Sequence, residues 1–189
     1  MRGAFIQTVS GRYLNVLDPQ PDDIDIADIA HHLAHVCRFG GACRQYYSEA
    51  EHAMRMAQLL PPRLQLAGLL YGAAKAYAGE VVRADAQEAL PLQHRLTAAV
   101  EARFGLHLSG DDRAELAMAD ARLLATERRD LMPPDNIEWP ILTGVQPLPE
   151  RIWPMTISQA LAGFCSMYEQ CRTWSSASAQ IQVRPSARR

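Results

Sequence analysis

Few side chains in this sequence could do chemistry together, and their spacing is the first clue to what it would be. Asp120 stands three and four residues from Leu116, Leu123 and Leu124, on one face of a helical stretch. An acid on an apolar face is costly unless something pairs with it. It serves more often in a structural ion pair than in catalysis. Lys75 shares a helical face with Gly68, Gly72 and Gly79, a strip of bare backbone carrying one amine. That amine either reaches outward to solvent or is a cation aimed at an acid. His52 lies at the flank of its helix beside Met56 and Leu59; taken alone it reads as a hydrogen-bonded boundary histidine rather than a metal ligand. The cluster His31, His32 and His35 invites a metal reading, but His31 and His35 face together while His32 points roughly 100° away. Two histidines without a carboxylate or thiolate make a weak site. Cys37, Cys43, Cys165 and Cys171 lack the CxxC spacing of a zinc cage and are expected to be free thiols.

The elements that must position these groups are mostly helices. Phe5 to Val16, around Ser10-Gly11, predicts a short hairpin or extended arm. Ile26, Ile29, Leu33 and Val36 predict a helix over 24–39, capped by Asp22 or Asp23 and stopped by Gly40-Gly41. Ser48, with Glu51 three residues on, predicts a capping box for a helix running to Leu60. Arg63 to Tyr77 is apolar or small almost all round, the pattern of a central helix, with Leu66, Leu69, Leu70 and Ala73 in the core. Leu90 to Phe104 and Gly110 to Leu131 are two more helices, the second capped by Ser109. Met132 to Arg151 is a proline-rich ordered loop, and Thr156 caps a last helix ending near Cys171. The reading is all-α: a single domain over 1–172 with its core at about 22–172, followed by a flexible basic tail at 173–189.

Composition narrows the function classes. With 189 residues, 48% hydrophobic and 21% charged, the chain can bury a core without disulfides. A formal net charge of −2 gives no global pull toward nucleic acid or acidic membranes. There is no apolar run of about 18 residues and no secretion signal, so a cytoplasmic location without membrane association is expected.

Four segments in order carry a resemblance: DIADIAHHLAHVCRFGG, YSEAEHAMRMAQLL, LAGLLYGAAKAYAGEVVR and ADARLLATERRDLM. Together they resemble the HD-domain metal-dependent phosphohydrolases, in the 5′-deoxynucleotidase-like branch common in bacteria and phages. The likeness runs from about Gly11 to Tyr168 and implies an HD-type helical bundle. Family members hold a divalent metal with a histidine of the second helix, an adjacent His-Asp pair in the third and an aspartate in the fifth. Such a metal activates water and polarises phosphorus. Carried over, His52 matches the first ligand and Asp120 the last. Where the family reads LLHDAAEAY, this chain reads LLYGAAKAY. Tyr71 stands for the histidine, Gly72 for the aspartate, and Lys75 for a glutamate that helps with proton transfer. Ala42 replaces a histidine, and Glu80 stands where aspartate is usual. Arg38 matches an arginine that lies near the substrate phosphate, and Tyr77 is retained beside it as part of the nucleotide pocket.

The resemblance therefore implies a pseudo-phosphohydrolase with remnant metal ligands His52 and Asp120 and no confident catalytic residue. It would bind a nucleotide, with Arg38, Lys75 and Tyr77 as ligand-binding residues, or a protein partner. No cofactor is expected; manganese, cobalt, magnesium or zinc would enter only if the site still functioned. Gly72 and Lys75 suggest that the lysine ammonium occupies the vacated metal space and pairs with Asp120; the alternative is that it snorkels to solvent. Arg38, in turn, could merely hold helix-end carbonyls. Two other functions stay open. One is an active phosphohydrolase on nucleoside monophosphates, recruiting His31, Tyr71 or Glu80. The other is a structural or assembly module. The resemblance also implies a homodimer, with Leu161, Phe164 and Tyr168 of the last helix as the contact.

Overall fold

In the computed structural model, which describes residues 4–79 and 86–182, the chain opens with an antiparallel hairpin. Strands β1 (Phe5–Gln7) and β2 (Tyr13–Asn15) pair with Ile6 opposite Leu14. Gly11, at φ 82°, takes the left-handed position in the turn. The turn is pinned to the next helix by the buried Asp28, which accepts from the Ser10 backbone N–H and hydroxyl, both at 2.9 Å.

That helix, α1 (Ile26–His35), is capped by Asp25, whose carboxylate accepts from Ala27 N–H at 2.8 Å. The predicted caps Asp22 and Asp23 lie instead in a short 3-10 turn. The helix also ends four residues before the predicted Phe39. The cause is a competing backbone pairing: Glu49 N–H donates to Val36 O and Arg38 N–H to Tyr47 O, each at 2.9 Å. Phe39, Gly40 and Gly41 then turn the chain through left-handed φ values of 55°, 59° and 84°.

Helix α2 (Glu49–Gln58) starts at Ser48, which accepts from Glu51 N–H as predicted. The Glu51 carboxylate does not return to the cap. It binds Arg55 and, at 2.7 Å, Met155 N–H, tying α2 to the segment ahead of the last helix. Helix α3 (Pro62–Leu70) packs closely on α2: a Cβ on Gly68 would lie 3.2 Å from the Ala57 Cα and collide with Leu60.

The predicted helix to Tyr77 is interrupted. Residues 71–74 form turns, and α4 (Lys75–Ala78) follows. Across the break the bonds run to the third residue back, as in Ala73 N–H to Leu70 O and Ala76 N–H to Ala73 O, both 3.0 Å. Such tightening rotates side chains away from their α-helical directions. Gly72 is the poorest helix former in the stretch and weakens the regular helix there.

Helix α5 (Ala86–Phe104) contains Pro91, and α6 (Gly110–Leu131) begins with a reciprocal capping box between Ser109 and Asp112. The proline-rich loop is fastened to α6: Thr126 accepts from Leu148 N–H and Asp130 from Ile152 N–H. Helix α7 (Ile157–Gln182) carries on well past the predicted end near Cys171. Part of the segment read as a flexible tail is therefore helical; residues 183–189 lie outside the described residues.

The fold is all-helical apart from the hairpin, as predicted. One core cluster joins α1, α2, α3 and α7 through Ile29, Leu33, Ala53, Leu69, Ala73 and Phe164. A second joins α2, α3 and α6 through Met56, Leu64, Leu116 and Leu123. Leu69, Leu70 and Ala73 are buried as predicted, and Leu66 is partly so. The dimer contact expected on the last helix is not an outward stripe: Phe164 is fully buried, and Leu161 and Tyr168 pack against the core. Among the described residues no disulfide joins the cysteines, as expected. Among the described residues no helix is long and apolar enough to cross a membrane.

Candidate functional site

The backbone pairing that ends α1 sets Arg38 beside Glu49, the first residue of α2. Their side chains meet at 2.9 Å. The other arm of the guanidinium reaches Glu127 on α6, also at 2.9 Å. Glu127 accepts from His52 Nδ1 at 2.7 Å, and His52 Nε2 meets Asp120 at 3.2 Å. At the opposite end, Lys75 Nζ donates to the second oxygen of Glu49 at 3.0 Å. The six side chains form one chain of alternating charge: Lys75, Glu49, Arg38, Glu127, His52, Asp120.

Its middle is dry and its ends are wet. Glu49 and Glu127 are 1% and 0% exposed, whereas Lys75 and Asp120 are 24% and 31% exposed. Buried ions of this kind survive only when every one is paired. Burial disfavours the Arg38 charge, but Glu127 and then Glu49 outweigh it and hold the guanidinium firmly protonated. Burial likewise opposes ionisation of Glu49, Glu127 and Asp120. The neighbouring cations win in each case and lower all three carboxyls below their ordinary range. For His52, burial and Arg38 oppose protonation, while the Glu127 charge and the hydrogen bonds His52 donates to Asp120 and Glu127 overcome them and raise its pKa. An imidazolium at His52 completes the balance of three cations against three anions.

That balance has a sign in pH. The folded His52 pKa lies above its free value of 6.5, so its contribution is complete below pH 6.5 and is lost as pH rises through the folded value. The carboxyls are depressed from 4.5 and 3.8, so their contribution is complete above about pH 4.5 and is lost as pH falls through their folded values. Urea unfolding is expected to show greatest stability between those limits, with an alkaline decline that His52→Gln removes. A wild-type curve that rises steadily from pH 6 to 9 would contradict the assignment.

The sequence-predicted residues divide accordingly. His52 and Asp120 do come together. Lys75, however, pairs with Glu49 rather than Asp120, because the tightened turn after α3 aims it toward the start of α2. It neither pairs with Asp120 nor simply snorkels. Gly72 lies near this junction: a Cβ there would be 3.9 Å from the Glu49 carboxylate and 4.0 Å from Lys75 Cδ, ordinary contacts. Space for the lysine therefore does not by itself require glycine. Among the described residues the Arg38 guanidinium holds no helix-end carbonyl; both its terminal nitrogens are taken by carboxylates, which leaves neither free to grip a phosphate. Tyr77 stands apart, its phenol 3.4 Å from the Asp25 backbone, so it does not join the Arg38 and Lys75 group. Tyr71 lies outside the ion chain, 42% exposed, its phenol proton held more tightly through burial and the nearby Asp120 charge. Ala42 occupies the turn after Gly41, and Glu80 lies outside the described residues. His31 and His35 stack at 4.2 Å, and His32 turns inward to donate from Nδ1 to Ala76 O.

Glu49 and Glu127 are the members that sequence reasoning missed. The signal was present: Glu127 follows Asp120 by two helical turns, and Glu49 precedes His52 by one, so each shares a face with a residue already singled out.

These donors do not suit the divalent metal that the resemblance implies. A metal-binding histidine offers a neutral nitrogen, yet both His52 nitrogens face carboxylates. Tyr71 retains its proton, Gly72 offers no donor, and the Lys75 ammonium stands beside Glu49. Among the described residues no group of three or more His, Cys, Asp or Glu side chains is placed to hold a metal ion.

No family model matches the chain. It is 34% identical over 146 residues to "Uncharacterized protein YfdR" of Escherichia coli (strain K12), covering 75% of this chain and 80% of that protein. It is 40% identical over 119 residues to "Uncharacterized protein RCAP_rcc00048" of Rhodobacter capsulatus, covering 56% of this chain and 61% of that one. The extent of the first match makes this chain a member of the family to which the Escherichia coli YfdR protein belongs.

Proposed function

We propose that this chain is a non-hydrolytic protein of the HD-domain phosphohydrolase type, in which an internal ion-pair chain replaces the catalytic metal and the protein acts by binding a nucleotide or a protein partner. The observation that carries the reading is the Lys75 to Glu49 contact at 3.0 Å, in a chain whose charges balance without any added ion. A metal enzyme of this type needs excess negative charge around its cation. Here each acid already has a protein cation, and a divalent ion would have to displace one. The nucleotide reading also changes in detail: a phosphate would not be gripped by Arg38, whose partners are internal.

A phosphatase assay tests this directly. The purified protein, supplied with manganese or cobalt, is expected to release no phosphate from a panel of nucleoside 5′-monophosphates above the level of an Asp120→Ala control. Metal-dependent turnover abolished by Asp120→Ala would establish the active-enzyme reading instead.

A further inference from the structure

Two polar side chains of α1 hold the turn of the hairpin, and they differ in kind. The buried Asp28 carboxylate accepts twice from Ser10. One helical turn later, His32 bridges the hairpin to α4. Its Nδ1 lies 2.7 Å from Ala76 O, and its Nε2 lies 3.2 Å from the Val9 backbone nitrogen. A carbonyl oxygen can only accept, and a backbone N–H can only donate. The two contacts therefore fix one state of the ring: neutral, with its proton on Nδ1 and the Nε2 lone pair turned to Val9. Among the described residues these are the two hydrogen bonds of His32. Beneath the turn Leu14 is fully buried and Ile6 packs on the main core, so His32 fastens a flap that covers core side chains.

We infer that His32 is a proton-sensitive latch, which docks the hairpin turn when neutral and loosens it when protonated. A proton on Nε2 turns the acceptor into a donor that faces another donor, the Val9 N–H. The Ala76 bond survives, so the ring stays anchored to α4 while its hairpin side opens. The groups around the ring favour the change. On α1, Asp28 attracts an imidazolium; it already accepts from Ser10, so an imidazolium drawn to it competes with the same turn. His31 stands edge-on to His32 with ring centroids 6.1 Å apart, and stacks in turn on His35 at 4.2 Å. On α4, the Tyr77 ring is also edge-on at 6.1 Å, its phenol proton held firmly by burial. On the hairpin, Arg12 is paired at 3.6 Å with Asp25, the cap of α1. His32 is half-buried and Val9 is exposed, so protons reach the latch without unfolding of the core. Release uncovers the seam between α1 and α4, and α4 begins with Lys75, the outer end of the ion chain. The latch is independent of the function proposed above.

Amide hydrogen exchange of the full chain at about pH 7.5 and about pH 5.5 tests it, since histidines change charge between about pH 5 and 8. Protection of the Val9 and Ser10 amides, corrected for the intrinsic exchange rate at each pH, is expected to fall about tenfold on acidification, the worth of one hydrogen bond. The Leu123 amide, in the core of α6, is expected to hold, which separates latch opening from global unfolding. Two variants divide the two bonds of the ring. His32→Gln keeps an oxygen for the Val9 N–H without a titrating nitrogen, and is expected to stay protected at both pH values. His32→Asn keeps a donor for Ala76 O but offers Val9 no acceptor, and is expected to be poorly protected at both. Four results would each overturn the latch: equal wild-type protection at the two pH values, a fall shared by Leu123, a fall of the same size in His32→Gln, or full protection in His32→Asn.

Discussion

Arg38→Ala is expected to destabilise the protein by about 3–5 kcal/mol, the range for removing one partner from a buried ion pair. The guanidinium is the hinge of the chain, since it joins the α2 acid Glu49 to the α6 acid Glu127. Without it, two nearly inaccessible carboxylates keep as cationic partners among the described residues Lys75 and His52. A loss of that size is a large share of the roughly 5–15 kcal/mol that holds a domain folded. Urea unfolding measures it. Arg38→Lys is expected to recover less than half of the loss, because a single ammonium cannot present two diverging donors to two acids. A change below about 1 kcal/mol, the worth of a surface pair, would show that the chain is not the structural centre described here.

The second large effect comes from installing the motif of the HD-domain phosphohydrolases that the chain resembles. The triple variant Tyr71→His, Gly72→Asp, Lys75→Glu removes the Lys75 cation from the outer side of Glu49 and adds two carboxylates around it. The Gly72 Cβ position is 3.9 Å from a Glu49 oxygen, so the new acid would crowd an existing one. The variant is expected to be destabilised in chelator and rescued by manganese or cobalt. Metal at a thousandfold excess over its dissociation constant stabilises the folded state by about 4 kcal/mol. Thermal melts with and without metal measure this. The wild type is expected to show no comparable shift, because its charges are already balanced. A triple variant indifferent to metal would mean that the pocket lacks HD-type geometry and not only its donors.

Much of the fold was legible because it follows from local rules. Ser48, Ser109 and Thr156 cap their helices as their spacing predicts, and the hairpin forms around Gly11. The errors share a cause, namely tertiary contact overriding local pattern. Helix α1 stops early because residues 36–38 pair with 47–49. The third helix is the exception, since it tightens at residues 71–74 where Gly72 weakens the regular helix locally. Phe164, a dimer contact by resemblance alone, is buried because α7 packs into the core.

The site shows the same division. That Asp120 needed a partner followed from its apolar helical face, and His52 supplies it. That Lys75 would reach an acid was also readable, but which acid was not. The answer depends on a turn lying between α3 and α4 and on Glu49 opening α2, neither of which is a periodicity signal. The role of Arg38 was hidden similarly, since its partners are 11 and 89 residues away.

The central claim is that protein cations occupy the place of a metal. Elemental analysis of the purified chain after incubation with manganese, cobalt, magnesium and zinc, followed by dialysis, tests it most directly. The account predicts far less than one equivalent of any metal retained, with the same trace in Asp120→Ala. One equivalent of a transition metal held by the wild type and lost in both His52→Ala and Asp120→Ala would contradict it.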